Sequence, residues 1–504
     1  ALRKYRAVCM TETGIFCWGL TGDTPMTLEL EKNIFFPDRH LSGKMSNVQN
    51  LVAVLSVLLV SLVSLLVSSL LGLPTNTLLA LSIFLAEISA TLLLWDNRLS
   101  VAFIGVSLLI LTGSLTLESF LKYANLDVIF FLAAMMILVG ILEERGFFDS
   151  IVSLTIWAAG GNGLLLYAVI ILLSFALAAV IDEVTSIVIM IFFVLSLARQ
   201  AQVNPIPLTL ACIFATNIGS SATPIGNPVG VLIAFRAGLS FEEFLRWSLP
   251  ISFLDVGLLI VLSMHFLRDE LRDFVRKISL NIKSEGFKTY DGFLVDAALF
   301  LLTLVFLAIH HQLEYLLGLE KNSMLLAIPF ISTGISIIVY PQSASRALRE
   351  RVEWPTLLFF TLLFASVGSL KSTGFIDYLS RIILENTGSS LLENMVLMTT
   401  LTSMISPLMD NVIAVSLLLP VVESLGKAGL RVYPLYWVML HSAVISGNLT
   451  PIGSTANIVA LGLLERSGYR KPSLTEWLRH GWLATLPPLI VSFTLLSLQA
   501  NLMP

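Results

Sequence analysis

The sequence predicts an all-α polytopic membrane protein with about 11 transmembrane helices, two re-entrant hairpins and two inverted repeats. Of its 504 residues, 56% are hydrophobic and 13% are charged, a composition far from that of a soluble globular domain. Many windows of about 20 residues carry almost no charge, and a helix of that length crosses a bilayer. Polar segments broken by glycine and proline interrupt these runs, and each has a near copy in the other half of the chain.

Candidate spans follow one another along most of the chain. Residues 1–47 come before the apolar runs and are expected to form a cytoplasmic tail. The runs 48–72 and 75–94 are expected to form peripheral N-terminal helices within the segment 48–97. The later candidate spans are 99–117, 128–142, 206–237, 250–267, 293–310, 322–341, 356–370, 435–464 and 481–500.

Two further apolar segments, 164–198 and 391–425, are each split by a polar pair, Asp182-Glu183 or Asp410-Asn411. Their halves of roughly 15–18 residues are short for full spans. We therefore expect two re-entrant hairpins with the polar pairs at their tips. The spans 206–237 and 435–464 are expected to be broken helices, because irregular backbone at membrane depth must line a protein-enclosed cavity.

A nearly constant shift relates the two halves of the chain. A shift of 228 carries Asp182 onto Asp410, and a shift of 227 carries Thr223-Pro-Ile-Gly226 onto Thr450-Pro-Ile-Gly453. This duplication predicts repeat 1 at 98–267 and repeat 2 at 322–500, with a cytoplasmic loop and a linking helix at 268–321 between them. In the predicted topology the corresponding spans run in opposite directions, which is typical of secondary transporters.

Lysine and arginine in the loops predict the orientation. The segments 268–291 and 466–480 carry both residues and the segment 342–353 carries three arginines, and short loops of this kind lie in the cytoplasm. The topology then places the N-terminus in the cytoplasm, and the segment 311–321 and the C-terminus outside. The expected location is the plasma membrane.

Three carboxylates stand at the predicted hairpin tips: Asp182, Glu183 and Asp410. Ionisable side chains at this depth are costly and usually mark an ion path. Such a carboxylate could bind Na⁺, or it could bind and release a proton. The structural alternative is that these residues cap short helices that face water.

The broken spans combine neutral oxygens and amides with glycine and proline. Carbonyl and hydroxyl oxygens suit a dehydrated Na⁺, whereas the free N–H groups of half-helices suit an anion. A kink needed only for packing is the structural alternative. The candidate residues are Asn217, Gly219, Thr223, Gly226, Asn227, Asn448, Thr450, Gly453, Thr455 and Asn457, and the candidate Na⁺ ligands are Asp182, Asn217, Asp410 and Asn448.

Other polar residues within spans are weaker candidates. Glu87 and His441 could relay protons, with helix pairing and a packed core histidine as the alternatives. Asp255 and Asp296 lie near span ends and are expected at the membrane interface. The segments 113–127 and 374–388 are expected to be surface connectors.

An enzyme is not expected. The chain has no glycine-rich phosphate loop with a lysine, so direct ATP drive by this chain is not expected, and neither is a cofactor or a nucleic-acid partner. The partners expected are a small inorganic or organic ion and the lipid bilayer. Three cysteines are too few for a thiolate metal cluster.

The chain resembles the ArsB/NhaD family (arsenite pump, Na⁺:H⁺ antiporter and P protein) of the ion transporter superfamily, and more distantly the divalent-anion/Na⁺ symporters. The resemblance implies an elevator-type fold, a homodimer, and a site made of both tips and both loops, which adds Thr185 and Asn411. It covers roughly residues 98–500 and rests on Leu126–Glu143, Asp182–Ser186, Asn217–Pro228, Asp410–Val412 and Asn448–Asn457.

Two departures from the family pattern concern the first repeat. Its tip has Glu183 where relatives carry asparagine, which adds a titratable group. Its loop has Gly230 where an amide is expected, and Asn457 holds that amide in the second repeat. If one ion site is stronger, we expect it to be the C-terminal one.

The function expected is secondary active transport coupled to H⁺ or Na⁺. Acidic tips without a neighbouring lysine or arginine favour cation/proton antiport or export of an arsenite-type oxyanion. A Na⁺-coupled di- or tricarboxylate symporter of the citrate type is the alternative. A channel or a non-transporting membrane receptor is the alternative of another class.

Overall fold

The computed structural model describes residues 47–504 except 71, 161, 267–271, 273, 274, 278–288 and 389. The predicted tail at 1–47 therefore lies outside the described residues apart from its last position, as does much of the predicted loop at 268–291. Within the described part every regular element is a helix. The predicted all-α polytopic class is confirmed.

The helices are numbered in chain order over the described residues. The first group is α1 (Asn47–Leu70), α2 (Thr75–Leu93), α3 (Arg98–Leu111), α4 (Leu117–Tyr123), α5 (Leu126–Glu144), α6 (Phe147–Ala159), α7 (Gly163–Val180), α8 (Glu183–Ala201), α9 (Ile206–Ser220), α10 (Pro228–Ala237) and α11 (Phe241–Phe266). The second group is α12 (Phe293–Ala308), α13 (His310–Leu317), α14 (Ser323–Val339), α15 (Pro341–Glu350), α16 (Trp354–Ser372), α17 (Phe375–Thr387), α18 (Leu391–Ile405), α19 (Asn411–Lys427), α20 (Tyr433–Ser446), α21 (Thr455–Arg466) and α22 (Leu474–Gln499).

Seven of the described helices are long and apolar enough to cross a membrane: α2, α5, α7, α8, α11, α16 and the segment Leu474–Leu502 that contains α22. The pair α12 and α13, bent by 65°, makes an eighth if it forms one span. The pieces of the broken helices are shorter, because each is interrupted at its centre.

The helix bounds repeat along the chain. Helices α6, α7 and α8 begin at 147, 163 and 183, and a shift of 228 gives the starts of α17, α18 and α19. A shift of 227 carries the starts of α9 and α10, at 206 and 228, onto those of α20 and α21. The duplication read from the sequence is thus a duplication of helices. The inversion of one repeat relative to the other stays a prediction.

Helices α9 and α20 form the centre of the packing. Helix α9 packs against α7, α8 and α11, helix α20 packs against α18 and α22, and α9 also contacts α20. Nearly every side chain of both helices is buried. This burial follows from sequences that are apolar on all faces. The two halves therefore meet along the helices that lead into the polar breaks.

Three short segments that were expected to be surface connectors or a loop contain helices. The predicted connectors at 113–127 and 374–388 contain helices α4 and α17, and the predicted loop at 342–353 contains α15. Helix α17 buries Ile376 and Ile383 on one side and presents polar residues on the other. Such an amphipathic helix has too low an average hydropathy to be recognised as a span.

Helix α11 contains a π-helical turn over Phe244–Ser248. Turns of this type insert an extra residue into the hydrogen-bond ladder and occur frequently at functional sites. The corresponding helix of the second half, α22, instead carries Pro487 and Pro488 in its interior. The two halves thus differ in the helix that follows each broken helix.

Candidate ion-binding site

The aspartate at each hairpin tip caps the second helix of its hairpin. Asp182 Oδ1 accepts hydrogen bonds from the backbone N–H groups of Val184 and Thr185, both at 2.9 Å. Asp410 Oδ1 accepts one from Val412 N–H at 2.9 Å. Both aspartates are buried. The capping alternative was therefore right about the hydrogen bonds, but the caps face the protein interior rather than water.

Each broken helix docks on the tip of the hairpin in its own half. The Thr223 hydroxyl donates to the Ala179 carbonyl at 2.5 Å, and the Thr450 hydroxyl donates to the Pro407 carbonyl. The shifts of 227 and 228 relate both the donors and the acceptors. These contacts bring the predicted tips and loops together in both halves.

The second half adds a contact that the first half lacks. Asp410 Oδ2 accepts hydrogen bonds from the Thr455 backbone N–H at 3.0 Å and from its hydroxyl at 2.5 Å. Pro228 occupies the position equivalent to Thr455, and proline has neither donor. Asp410 thus joins the hairpin to the start of α21, whereas Asp182 has no equivalent donor in the first half.

Three asparagines connect the two halves. The Asn217 amide donates to Asn448 Oδ1 at 2.7 Å and to Asn457 Oδ1 at 2.9 Å. The Asn457 amide in turn donates to the carbonyls of Gly447 and Thr450. All three asparagine side chains are fully buried. Asn227 serves differently, because its Oδ1 accepts from Gly230 N–H and caps α10.

Glu183, at the first tip, interacts with the carboxylates of both tips. It is 2% exposed and interacts electrostatically with both Asp182 and Asp410. Its Oε1 accepts a long hydrogen bond of 3.5 Å from Ser454, the residue that caps α21. Ser454 was not predicted as a site residue. The signal for it was its alignment with Asn227, the corresponding cap, at a shift of 227.

Several polar atoms around this point make no hydrogen bond of good geometry. Within the described ranges these are Glu183 Oε2, Asn217 Oδ1 and both amide atoms of Asn411, all buried, although Asn411 and Ser220 are close enough to interact with the Glu183 carboxylate. Buried polar atoms normally find partners, so such a cluster indicates a place where a ligand supplies them. The same residues are the ones predicted from the tip and loop motifs.

The broken-helix loops of both halves pack closely against neighbouring backbone. A Cβ atom on Gly453 would lie 2.6 Å from the Gly447 carbonyl oxygen, and one on Gly219 or Gly226 would similarly meet backbone atoms. Glycine is therefore required at these positions by close approach. In the described residues no three His, Cys, Asp or Glu side chains form a metal-holding group, so a cation here would rely on asparagine, hydroxyl and carbonyl oxygens as well.

One basic residue acts electrostatically on the second tip, where nothing in the sequence indicated a neighbouring lysine or arginine. Arg98, at the start of α3, acts electrostatically on Asp410. Its guanidinium also donates to the Thr356 hydroxyl of α16 at 3.2 Å. The sequence did not predict the effect of Arg98 on Asp410, because the two residues are far apart in the chain and Arg98 belongs to a segment expected to form only scaffold.

The two candidate relay residues lie away from the tips. Glu87 is buried and accepts a hydrogen bond from Ser366 at 2.8 Å. His441 is buried between the hydroxyls of Ser248 and Ser492. Asp255, which was expected at the interface, is fully buried and contacts Ser492. This expectation was wrong, because α11 is covered by α22 at that position.

Comparison with known proteins identifies relatives over most of the chain. The sequence profile of the CitMHS family, described as a citrate transporter, matches residues 90–440 and 367–500. A protein of Mycobacterium bovis described as an uncharacterized transporter is 32% identical over 367 residues, covering 71% of this chain and 82% of the relative.

Two further relatives are more distant. The silicon efflux transporter of Oryza sativa subsp. japonica is 24% identical over 435 residues, covering 76% of this chain and 88% of the relative. The human P protein is 24% identical over 457 residues, covering 75% of this chain and 54% of the relative.

The fold also has a counterpart among solved structures. The Alcanivorax borkumensis YdaH transporter superposes with a TM-score of 0.56 at 16% identity, covering 85% of this chain and 99% of that chain. At this identity the likeness concerns the fold alone.

Paired hairpins and broken helices around buried carboxylates, together with these relatives, define a multi-pass membrane transporter. The chain belongs to the CitMHS family, the citrate transporter family of the ion transporter superfamily. The predicted resemblance is confirmed, since the P protein is among its relatives.

Proposed function

We propose that this chain is a secondary active transporter of the plasma membrane that couples transport to H⁺ or Na⁺. The observation that carries the proposal is the pairing of Asp410 with Thr455. This contact places a buried carboxylate between a hairpin tip and a broken helix. An ion bound at such a junction stabilises one arrangement of the two elements, which is the physical requirement for coupling.

The charges of the site favour a cation over an anion as the coupled species. The N–H groups at the start of α8 and α19 that could hold an anion are already occupied by Asp182 and Asp410. Glu183 adds a third buried carboxylate nearby. Buried charges need a counterion, and Arg98 acts on Asp410 alone of the three.

The transported species we propose is a cation exchanged for protons or a weak oxyacid of the arsenite type. The hydroxyl groups of an uncharged oxyacid donate hydrogen bonds, and the site offers carboxylate and amide oxygens that make no hydrogen bond of good geometry among the described residues. The silicon efflux activity named for the rice relative supports export of a small oxyacid.

A second candidate is Na⁺-coupled symport of a di- or tricarboxylate. The family description as a citrate transporter favours it. The site opposes it, because a citrate anion would lie among three carboxylates with a single arginine in range. Like charges enclosed at low dielectric repel strongly.

The proposal is tested by flux measurements in proteoliposomes. The purified chain is reconstituted, a Na⁺ or H⁺ gradient is imposed, and uptake of labelled Na⁺, arsenite or citrate is followed. We expect gradient-driven flux of Na⁺ or arsenite that Asp410→Asn removes. Flux of none of the three species under either gradient contradicts coupled transport, and citrate flux alone supports the second candidate.

A further inference from the structure

A chain of buried hydrogen bonds runs from α11 to the first broken-helix loop without touching the hairpin tips. Ser492 donates to Asp255 Oδ2 at 2.5 Å and lies 3.1 Å from His441 Nδ1. His441 Nε2 lies 2.8 Å from the Ser248 hydroxyl, which donates to the Ser221 carbonyl at 2.6 Å. All five residues are 1% exposed or less.

The four hydrogen bonds fix the number of protons that this row of hydrogen-bonded side chains must share. The hydrogen-bond chain contains four successive bonds: Asp255 with Ser492, Ser492 with His441, His441 with Ser248, and Ser248 with the Ser221 carbonyl. Each bond requires one proton between its two heavy atoms. Two hydroxyls and a neutral imidazole supply three protons. The fourth must be carried either by Asp255 or by the second nitrogen of His441.

We infer that Asp255, Ser492 and His441 form a proton-binding site, separate from the hairpin tips, that holds one exchangeable proton. With this proton the group has no net charge, whether it is drawn as a carboxylic acid and imidazole or as a carboxylate and imidazolium. Without it, a fully buried carboxylate remains whose Oδ1 has no partner among the described residues. An unpaired buried charge is costly, and binding the proton removes that cost.

The surroundings offer no other compensating charge. Among the described residues no charged group acts on Asp255 or His441, whose polar neighbours are the hydroxyls of Ser492 and Ser248. The helices packed against them bring titratable groups that do not act on either residue: Tyr167 on α7, Cys212 on α9, Arg246 in the π-helical turn and His480 on α22. The proton is thus the species that neutralises this group.

Loss of the proton has a defined structural consequence. Three protons cannot satisfy four hydrogen bonds, so one bond must break. If the Ser248 hydroxyl turns to His441, the Ser221 carbonyl loses its donor. Ser221 directly follows α9, which carries Asn217, and begins the loop that carries Thr223 of the ion site. This loop would couple proton binding at Asp255 and His441 to the ion site, and that coupling rests on the proposed function. The proton site itself does not depend on transport.

The inference is tested on the purified full-length chain in detergent, without any substrate. Infrared spectroscopy reports a protonated carboxyl group by its C=O stretch, and nitrogen NMR reports the protonation of His441. We expect either a carboxylic-acid band that Asp255→Asn removes or an imidazolium signal that His441→Gln removes, and loss of that signal as the pH is raised. Asn at 255 can donate to Ser492 with its own amide, so this variant retains the hydrogen bonds and should fold.

A matched control separates the chain from serine loss in general. Ser492→Ala interrupts the chain and should alter the signal, whereas Ser497→Ala, on the same helix and bonded to the Phe493 carbonyl, should leave it unchanged. An ionised Asp255 beside a neutral His441, or a proton that does not exchange, overturns the inference. Absence of gradient-driven Na⁺ or arsenite flux in the wild type would overturn the proposed function instead and leave these spectra as they are.

Discussion

The hydroxyl of Thr455 donates a 2.5 Å hydrogen bond to Asp410, and the backbone N–H of the same threonine donates a second one. Thr455 begins α21, and Asp410 caps α19 at the hairpin tip. The pair therefore fixes the carboxylate at the junction of two elements that an ion must bridge. The first half has Pro228 at the equivalent position and lacks both donors.

Removing the Thr455 hydroxyl should weaken binding of the coupling cation. Thr455→Val keeps the shape of the side chain but leaves Asp410 less firmly oriented. We expect about a tenfold weaker apparent affinity for Na⁺ or loss of H⁺-driven flux, since a hydrogen bond to a charged group contributes about 1.5–3 kcal/mol. Thr455→Ser retains the donor and should behave like the wild type. Equal affinity in the valine and serine variants would remove this hydroxyl from the site.

The two tip aspartates should not be equivalent. Asparagine is as good a helix cap as aspartate, so Asp182→Asn and Asp410→Asn both leave the hairpins capped and change the charge. We expect Asp410→Asn to reduce gradient-driven flux in proteoliposomes to background, and Asp182→Asn to retain measurable flux. A larger loss in Asp182→Asn would show that the N-terminal tip holds the stronger site.

Neutralising Glu183 should stabilise the protein while impairing transport. Glu183 is buried, two other carboxylates repel its charge, and one of its oxygens makes no hydrogen bond of good geometry in the described structure. We expect Glu183→Gln to raise the free energy of unfolding in detergent by about 1–3 kcal/mol, the scale of an unsatisfied buried polar group. The exposed residue Glu385 provides the control, since Glu385→Gln should change it by less than about 0.5 kcal/mol. Destabilisation by Glu183→Gln would show that the carboxylate has a partner in the folded protein.

A methyl group on Gly453 should disrupt the second loop. The new Cβ would lie 2.6 Å from the Gly447 carbonyl oxygen, a distance that forces the backbone apart. We expect Gly453→Ala to lower the free energy of unfolding by about 1–3 kcal/mol and to abolish gradient-driven flux in proteoliposomes. Gly462, further along α21, has open space around its Cβ position. Gly462→Ala should be neutral or stabilising, because alanine favours a helix over glycine by about 1 kcal/mol.

The sequence predicted those features of the fold that depend on hydropathy and repetition. The polar pairs at 182 and 410 divide their apolar runs at the points where the hairpins turn, because aspartate favours the start of a helix over its interior. The shift of 228 was visible in the sequence because the duplication that repeats the helices also repeats their residues. Helix α17 was missed because its apolar side is only half of its surface, which lowers the average that a span search measures.

Within the candidate site, residue types were predictable and contacts were not. The tip and loop motifs named Asp410, Thr455 and Asn217, but the bonds between them join residues 45 to 240 positions apart. The burial of Asp255 depends on Ser492 in another helix, and no local pattern reveals that partner. A single chain read along its length shows which side chains can bind an ion, whereas packing decides which of them meet.

The three-asparagine contact also bears on how the duplicated halves diverged. Asn217 comes from the first copy and its two partners come from the second. The equivalent residues in the opposite copies are Val444 for Asn217, Ser221 for Asn448 and Gly230 for Asn457. Two identical copies of either half could not rebuild this contact. The two halves therefore contribute different residues to this contact, and it forms only between one first half and one second half.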